Sequence, residues 1–105
     1  MIVVLKPCQR EVLVLPPDIR ADLADALARL DAGLKLSLPL SRPMPSIAPG
    51  AHELRLKDRS GQHRVIYAIV ERSVIYVVHA FKKTTESTPR HNIELARQRL
   101  KEVRK

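Results

Sequence analysis

Three short runs of this sequence carry side chains suited to phosphate chemistry. Glu53-Leu54-Arg55-Leu56-Lys57 is followed, across a turn at Gly61, by His63-Arg64-Val65-Ile66-Tyr67, and later by His79-Ala80-Phe81-Lys82-Lys83-Thr84. On an extended strand, residues two apart face the same way at about 6.6–6.8 Å. Arg55 and Lys57 therefore form a paired cationic site, while Leu54 and Leu56 turn toward the core. Arg64 follows the turn on the neighbouring strand, where register can bring it to the same pair. Three cations on one face repel one another unless an anion is held there. A phosphodiester suits, because arginine offers bidentate donors and lysine a point charge. A half-solvated sheet face that carries Lys and Arg for solubility is the competing reading.

Alternation along the last run puts His79, Phe81 and Lys83 on one side. Imidazole titrates near neutrality, which makes His79 the candidate for proton transfer; a packed, hydrogen-bonded strand histidine is the alternative. His52, His63 and His91 show no metal-ligand spacing, so no metal site is expected. The chain contains no GxSxG, P-loop or GxGxxG motif.

Composition narrows the partners. The chain has 105 residues, enough for a single domain over 1–105, with 19 Lys and Arg against 11 Asp and Glu, a net charge of +8. Such a balance expects an anionic partner, most often nucleic acid. Only Tyr67, Tyr76 and Phe81 are aromatic, too few for the base-stacking platforms of RRM or OB-fold single-strand readers. The charge is uneven: residues 1–50 hold six basic and five acidic side chains, leaving thirteen and six for residues 51–105. The lone Cys8 forms no intramolecular disulfide, which fits a reducing compartment. The longest apolar runs, Ile2–Leu5 and Val74–Val78, are far short of the ~20 residues that span a bilayer. No signal-peptide pattern opens the chain, so the cytoplasm is expected and no membrane partner.

The elements that must position these residues are readable in outline. Ile2–Leu5 suggests a short strand, and Cys8–Val14 a turn or two of helix that Pro16-Pro17 stops. From Asp18, the residues Ile19, Leu23, Ala26, Leu27 and Leu30 make an apolar stripe at helical period, with Gly33 as the stop. Leu34–Gly50, with four prolines, reads as a restrained connection. The period then falls to two, predicting antiparallel strands at Glu53–Asp58, Gln62–Glu71 and Ser73–Lys82, joined at Arg59-Ser60-Gly61 and Arg72-Ser73. Thr88 as N-cap and Pro89 at the first helical position open a last helix, with Ile93, Ala96, Leu100 and Val103 on one face. Arg90, Arg97, Lys101 and Arg104 line another. The order β-(α)-α-β-β-β-α predicts an α+β domain, its helices packed on one face of an antiparallel sheet.

These motifs together resemble the RelE/ParE toxin superfamily, in particular its HigB-like, phage-related branch. The resemblance rests on Gly50-Ala51-His52-Glu53-Leu54-Arg55, His63-Arg64-Val65-Ile66-Tyr67, His79-Ala80-Phe81-Lys82-Lys83-Thr84 and Thr88-Pro89, in that order. Leu15-Pro16-Pro17 and Leu30-Asp31-Ala32-Gly33 extend it more loosely into the first half. His63 stands where the branch usually has tyrosine, and His52 where an aromatic is common.

The resemblance implies the toxin of a type II toxin–antitoxin pair: a ribosome-dependent, metal-independent mRNA endoribonuclease without a cofactor. In such an enzyme the RNA's own 2′-hydroxyl attacks the adjacent phosphate. It implies Arg64 as transition-state clamp, Arg55 and Lys57 on phosphate, Lys83 as a further cation, and His79 or Lys57 as the proton-transfer group. Lys82, Arg97, Lys101 and Arg104 are then expected on RNA backbone, with a solvated basic helix as the alternative. The implied partners are the ribosome, its mRNA and an antitoxin of helix-turn-helix type. ParE-like relatives instead inhibit DNA gyrase by binding, and an inactive, toxin-derived corepressor is the third reading.

Overall fold

The computed structural model describes residues 1–71, 74–84 and 87–103. Arg104 and the Arg72-Ser73 turn, with the expected strand start at Ser73, lie outside the described residues. In chain order the elements are β1 (Ile2–Val4), α1 (Lys6–Leu13), α2 (Pro17–Asp31), β2 (Ser41–Pro43), β3 (Ala51–Asp58), β4 (Gly61–Ile69), β5 (Ile75–Lys83) and α3 (Arg90–Val103). They form one sheet of order β1-β5-β4-β3-β2. β1 runs parallel to β5, and the remaining neighbours are antiparallel.

The α+β class stands, and three local expectations change. Pro16 and Pro17 start α2, as cap and first helical residue, because a proline's missing N–H costs nothing there. The stripe Ile19, Leu23, Ala26, Leu27 and Leu30 is buried as expected. Gly33, at φ 88°, closes the helix in a Schellman-like turn, its N–H donating to Leu30 O and that of Leu34 to Arg29 O. The proline-rich connection contains a strand, β2, which holds the edge of the sheet, where proline is tolerated. Ser41 within it is buried and its hydroxyl meets Tyr67 Oη at 2.7 Å. Finally α3 begins at Arg90, with Pro89 O accepting from Asn92 and Ile93, and the Thr88 hydroxyl is spent elsewhere.

The helices occupy both faces of a mixed sheet, which corrects the expectation of one face. Leu54, Leu56, Val65, Tyr67, Ile75, Val77 and Ala80 pack with Cys8 of α1 and the α2 stripe. Ile66, Ala68 and Val78 pack on the other side with Ala96 and Leu100 of α3, and with Met44 and Ile47. β4 is thus buried from both sides, which its run Val65-Ile66-Tyr67-Ala68 matches. Cys8 lies in the first core, where burial and the nearby Glu11 carboxylate push its thiol up to about 12, so it is inert as a nucleophile.

A bulge sets the faces of β5. Ile66 opposes His79 but its neighbour Tyr67 opposes Val77, so Val78 is an extra residue in the strand. Val77 and Ala80 remain on the α1/α2 side, whereas His79, Phe81 and Lys83 turn to the α3 side.

Candidate anion-binding site on the α3 face

The registers place the sequence-predicted cations in rows. Arg55 stands opposite Arg64, which stands opposite Phe81. The next row toward the β3–β4 turn is Lys57, Gln62, Lys83. The row on the other side is Arg42, Glu53, Ile66, His79. Directly opposed residues have Cβ atoms only about 4.5–5.5 Å apart, so two facing arginines repel unless a counter-charge intervenes. These rows leave an open cleft of about 240 Å³ lined by Pro39, Arg55, Lys57, Gln62 and Arg64.

Arg64 is the floor of this cleft. It is 2% exposed. Its Nη2 donates to Gln62 Oε1 at 2.7 Å and its Nη1 to the His63 carbonyl at 3.2 Å. Glu53 Oε1 lies 3.5 Å from Nε, and Glu53 Oε2 accepts the Thr88 hydroxyl at 2.5 Å. Burial draws the guanidinium below its ordinary value and Arg55 adds to this, with Glu53 pulling the other way. The clamp expected of Arg64 is therefore a buried group held by protein partners, and half-buried or exposed cations surround it.

Those cations are Arg55, Lys57, Lys83 and Arg42. Among the described residues none of the four has an ion-pair partner. The ammonium of Lys83 is lowered from the usual lysine value by desolvation first, then by Arg64, Arg55 and Arg42, with Glu53 opposing. Arg42 escaped the sequence reading because no strand was expected among the prolines. Its register with Glu53 puts it on the cationic face.

His79 is placed differently from its expected role. It is 4% exposed, with Nδ1 2.9 Å from Glu11 Oε1 and Nε2 2.6 Å from Asn92 Oδ1. Arg99 donates to both Glu11 oxygens, at 2.8 and 3.0 Å, and to the Val78 carbonyl. The Ala80 N–H donates to Glu11 at 3.2 Å. β1 ends at Val4, so Glu11 and Arg99 satisfy the edge of β5 around the bulge. Burial alone would raise the Glu11 carboxyl, and the hydrogen bonds from Arg99, His79 and Ala80 outweigh it, so the group is held low. Both ring nitrogens of His79 are engaged inside this cluster, and its ring stacks on Phe81 at 5.0 Å. Neither Glu11, Asn92 nor Arg99 carried a sequence signal, since each depends on contacts between distant elements.

The outlying cations are dispersed. Lys82 opposes His63 and lines a groove on the opposite face with Glu11, Ser60 and Ala80. Arg97 donates to the Ser46 carbonyl, fastening α3 to the 44–48 turn. Lys101 is exposed on α3. Among the described residues no group of three or more His, Cys, Asp or Glu comes together as a metal site requires. No described helix is long and apolar enough to cross a membrane.

Comparison with known proteins agrees with this architecture. Residues 10–101 match the model of the phage-derived protein Gp49-like family. No curated protein sequence matches the chain. The isolated RelE toxin of E. coli superposes with a TM-score of 0.58 at 20% identity, covering 82% of this chain and 87% of its own. The intact E. coli RelBE toxin–antitoxin complex contains a chain that matches with a TM-score of 0.51 at 18% identity, over 81% and 98% of the two chains. A double arginine-to-alanine mutant of E. coli RelE in the free state gives a TM-score of 0.53 at 15% identity, over 98% and 96%. The chain belongs to the phage-derived Gp49-like family and has the RelE fold.

Proposed function

We propose that this chain is the toxin of a type II toxin–antitoxin pair and that it cuts mRNA in the A site of the translating ribosome. The observation that carries the reading is the set of cations Arg42, Arg55, Lys57 and Lys83 on one sheet face, Arg55 and Lys57 lining its cleft, without ion-pair partners among the described residues, on a RelE-like fold. A protein that acts by contact alone has no need to hold four like charges against one another, whereas a scissile phosphate gains charge in its transition state. The four motifs that resemble the HigB-like branch support the same reading.

In the proposed reaction the 2′-hydroxyl loses its proton and attacks the adjacent phosphorus, and the bond to the 5′-oxygen breaks as that oxygen gains a proton. The products are a cyclic phosphate and a 5′-hydroxyl. Arg55, Lys57 and Lys83 stabilise the added negative charge, and Arg42 holds the neighbouring phosphate. Lys83, with its lowered ammonium, exchanges protons more readily than an ordinary lysine, and Lys57 is the second candidate. Arg64 supports the site from beneath. The proposed partner is a small antitoxin of helix-turn-helix type, and the proposed compartment is the cytoplasm, where ribosomes work. One domain over residues 1–105 is proposed to contain the whole activity.

Purified protein is added to translating ribosomes and mRNA 5′ ends are mapped by primer extension. Cuts within A-site codons, absent from naked RNA and lost in Arg55→Ala and Lys57→Ala, are expected. Intact mRNA together with inhibited gyrase supercoiling would overturn the reading in favour of a gyrase-binding toxin.

A further inference from the structure

The centre of the row from Lys57 to Lys83 is not a cation. Lys57, Gln62 and Lys83 stand side by side on three adjacent strands. Strands lie about 4.8 Å apart, so the two lysine side chains arise roughly 9–10 Å apart with the amide between them. Gln62 is exposed and lines the cleft, whereas Arg64 behind it is almost sealed.

The orientation of that amide follows from donor chemistry. A guanidinium only donates, so the 2.7 Å contact from Arg64 Nη2 fixes the Gln62 oxygen toward Arg64. The amide –NH₂, a pair of neutral donors, is the end left without Arg64. An anion that settles between Lys57 and Lys83 meets this group first.

We propose that Gln62 is a phosphate-contacting residue of the site, donating through its amide –NH₂ to a non-bridging oxygen of an RNA phosphate, and that Arg64 is the positioning residue that aims it. This rests on the anion-binding part of the proposed function and deepens it. The buried guanidinium acts through the amide, so its charge is used without being exposed. A neutral donor between two ammonium groups adds a hydrogen bond without adding to their repulsion.

The test is fluorescence anisotropy of a short labelled single-stranded RNA with 2′-O-methyl riboses, which binds but is not cut. Gln62→Ala and Gln62→Glu are compared with wild type across a salt series, and thermal melting checks that both variants fold. Gln62→Ala is expected to weaken binding about tenfold with an unchanged salt slope, since a neutral donor displaces no counterion. Lys57→Ala lowers the slope by about 0.7, the value for one lost phosphate contact on a single strand. Gln62→Glu is expected to bind more weakly than Gln62→Ala, because it places a carboxylate against the phosphate.

The opposite order, Gln62→Glu binding as well as wild type, would overturn the proposal. It would mean that the residue serves only to hold Arg64, which a carboxylate does at least as well. An absence of RNA binding by the wild-type chain overturns it too. Wild-type binding in the expected order without ribosomal cleavage supports the contact and refutes the nuclease reading, so the two failures are distinguishable.

Discussion

Arg64 and Glu53 lie on adjacent strands with side chains 3% and 1% exposed, and Arg64 Nε is 3.5 Å from Glu53 Oε1. Burying two opposite charges is close to neutral in free energy, but stranding one of them is not. The pair also joins the floor of the cleft to the segment before α3, because Glu53 accepts the Thr88 hydroxyl. Glu53→Gln is expected to destabilise the chain by about 3–5 kcal/mol in urea unfolding, the cost of an uncompensated buried charge. Replacing both residues by Leu and Met restores most of that loss. Single variants that lose under about 1 kcal/mol would show that solvent reaches the pair.

A second prediction concerns pH. The Glu11 carboxyl is held low in the folded state, so the unfolded chain takes up its proton first as pH falls. The stability it contributes is complete above the unfolded carboxylate value of about 4.3 and is lost as pH drops through the folded value. Asp58, also lowered, through its bonds with Ser60, adds to the slope in the same window. The urea midpoint of wild type is expected to fall below this pH more steeply than that of Glu11→Gln, which starts lower at neutral pH. Parallel curves would show that Glu11 contributes nothing to the acid sensitivity.

Lys83 should trade stability for function. Desolvation and the surrounding arginines lower its ammonium, so the folded state disfavours the charged form at neutral pH. That cost is present in full below the folded value and disappears above the unfolded value of about 10.4. Lys83→Met is therefore expected to raise the urea midpoint at pH 7 while reducing cleavage about a hundredfold or more, the smaller end of a lost proton-transfer contact being about 10². Inorganic phosphate should stabilise wild type more than the variant, by mass action on the folded site. A variant both less stable and fully active would contradict this assignment.

His79 is expected to act through structure. His79→Ala takes the side-chain partner from buried Asn92 Oδ1, a loss of about 1–3 kcal/mol, and one hydrogen bond from Glu11, which keeps those of Arg99 and Ala80. Urea unfolding measures the loss, and cleavage per folded molecule is expected to stay within about threefold of wild type. A drop of tenfold or more with folding intact would return His79 to the chemistry.

Much of this architecture was legible in the residues themselves. The α2 stripe at offsets of four, seven, eight and eleven specifies a helix with one buried face, and that face is the one the core takes. Alternation in Glu53–Asp58 separates Leu54 and Leu56 from Arg55 and Lys57, because a strand has period two whatever it pairs with. The turn at Gly61, φ 131°, then brings Arg64 opposite Arg55. These are short-range consequences of backbone geometry.

What only the tertiary structure decided is which side each run faces and what each charge meets. Without the bulge at Val78, strict alternation would put His79, Phe81 and Lys83 with Val77 on the α1/α2 side; the bulge delivers them to the side of Arg55. Alternation reports that residues share a face, and register chooses the face, because a slip of one residue reverses every side chain. Arg42 joined the site through pairing of an edge strand hidden among prolines. Arg64 went under the surface because Glu53, Gln62 and His63 gather around it, and His79 was closed by Glu11 and Asn92 from 68 and 13 residues away. The sequence by itself determined that cations would cluster on a hairpin. Long-range packing determined which of them remain exposed, since burial of a charge depends on partners that no local pattern contains.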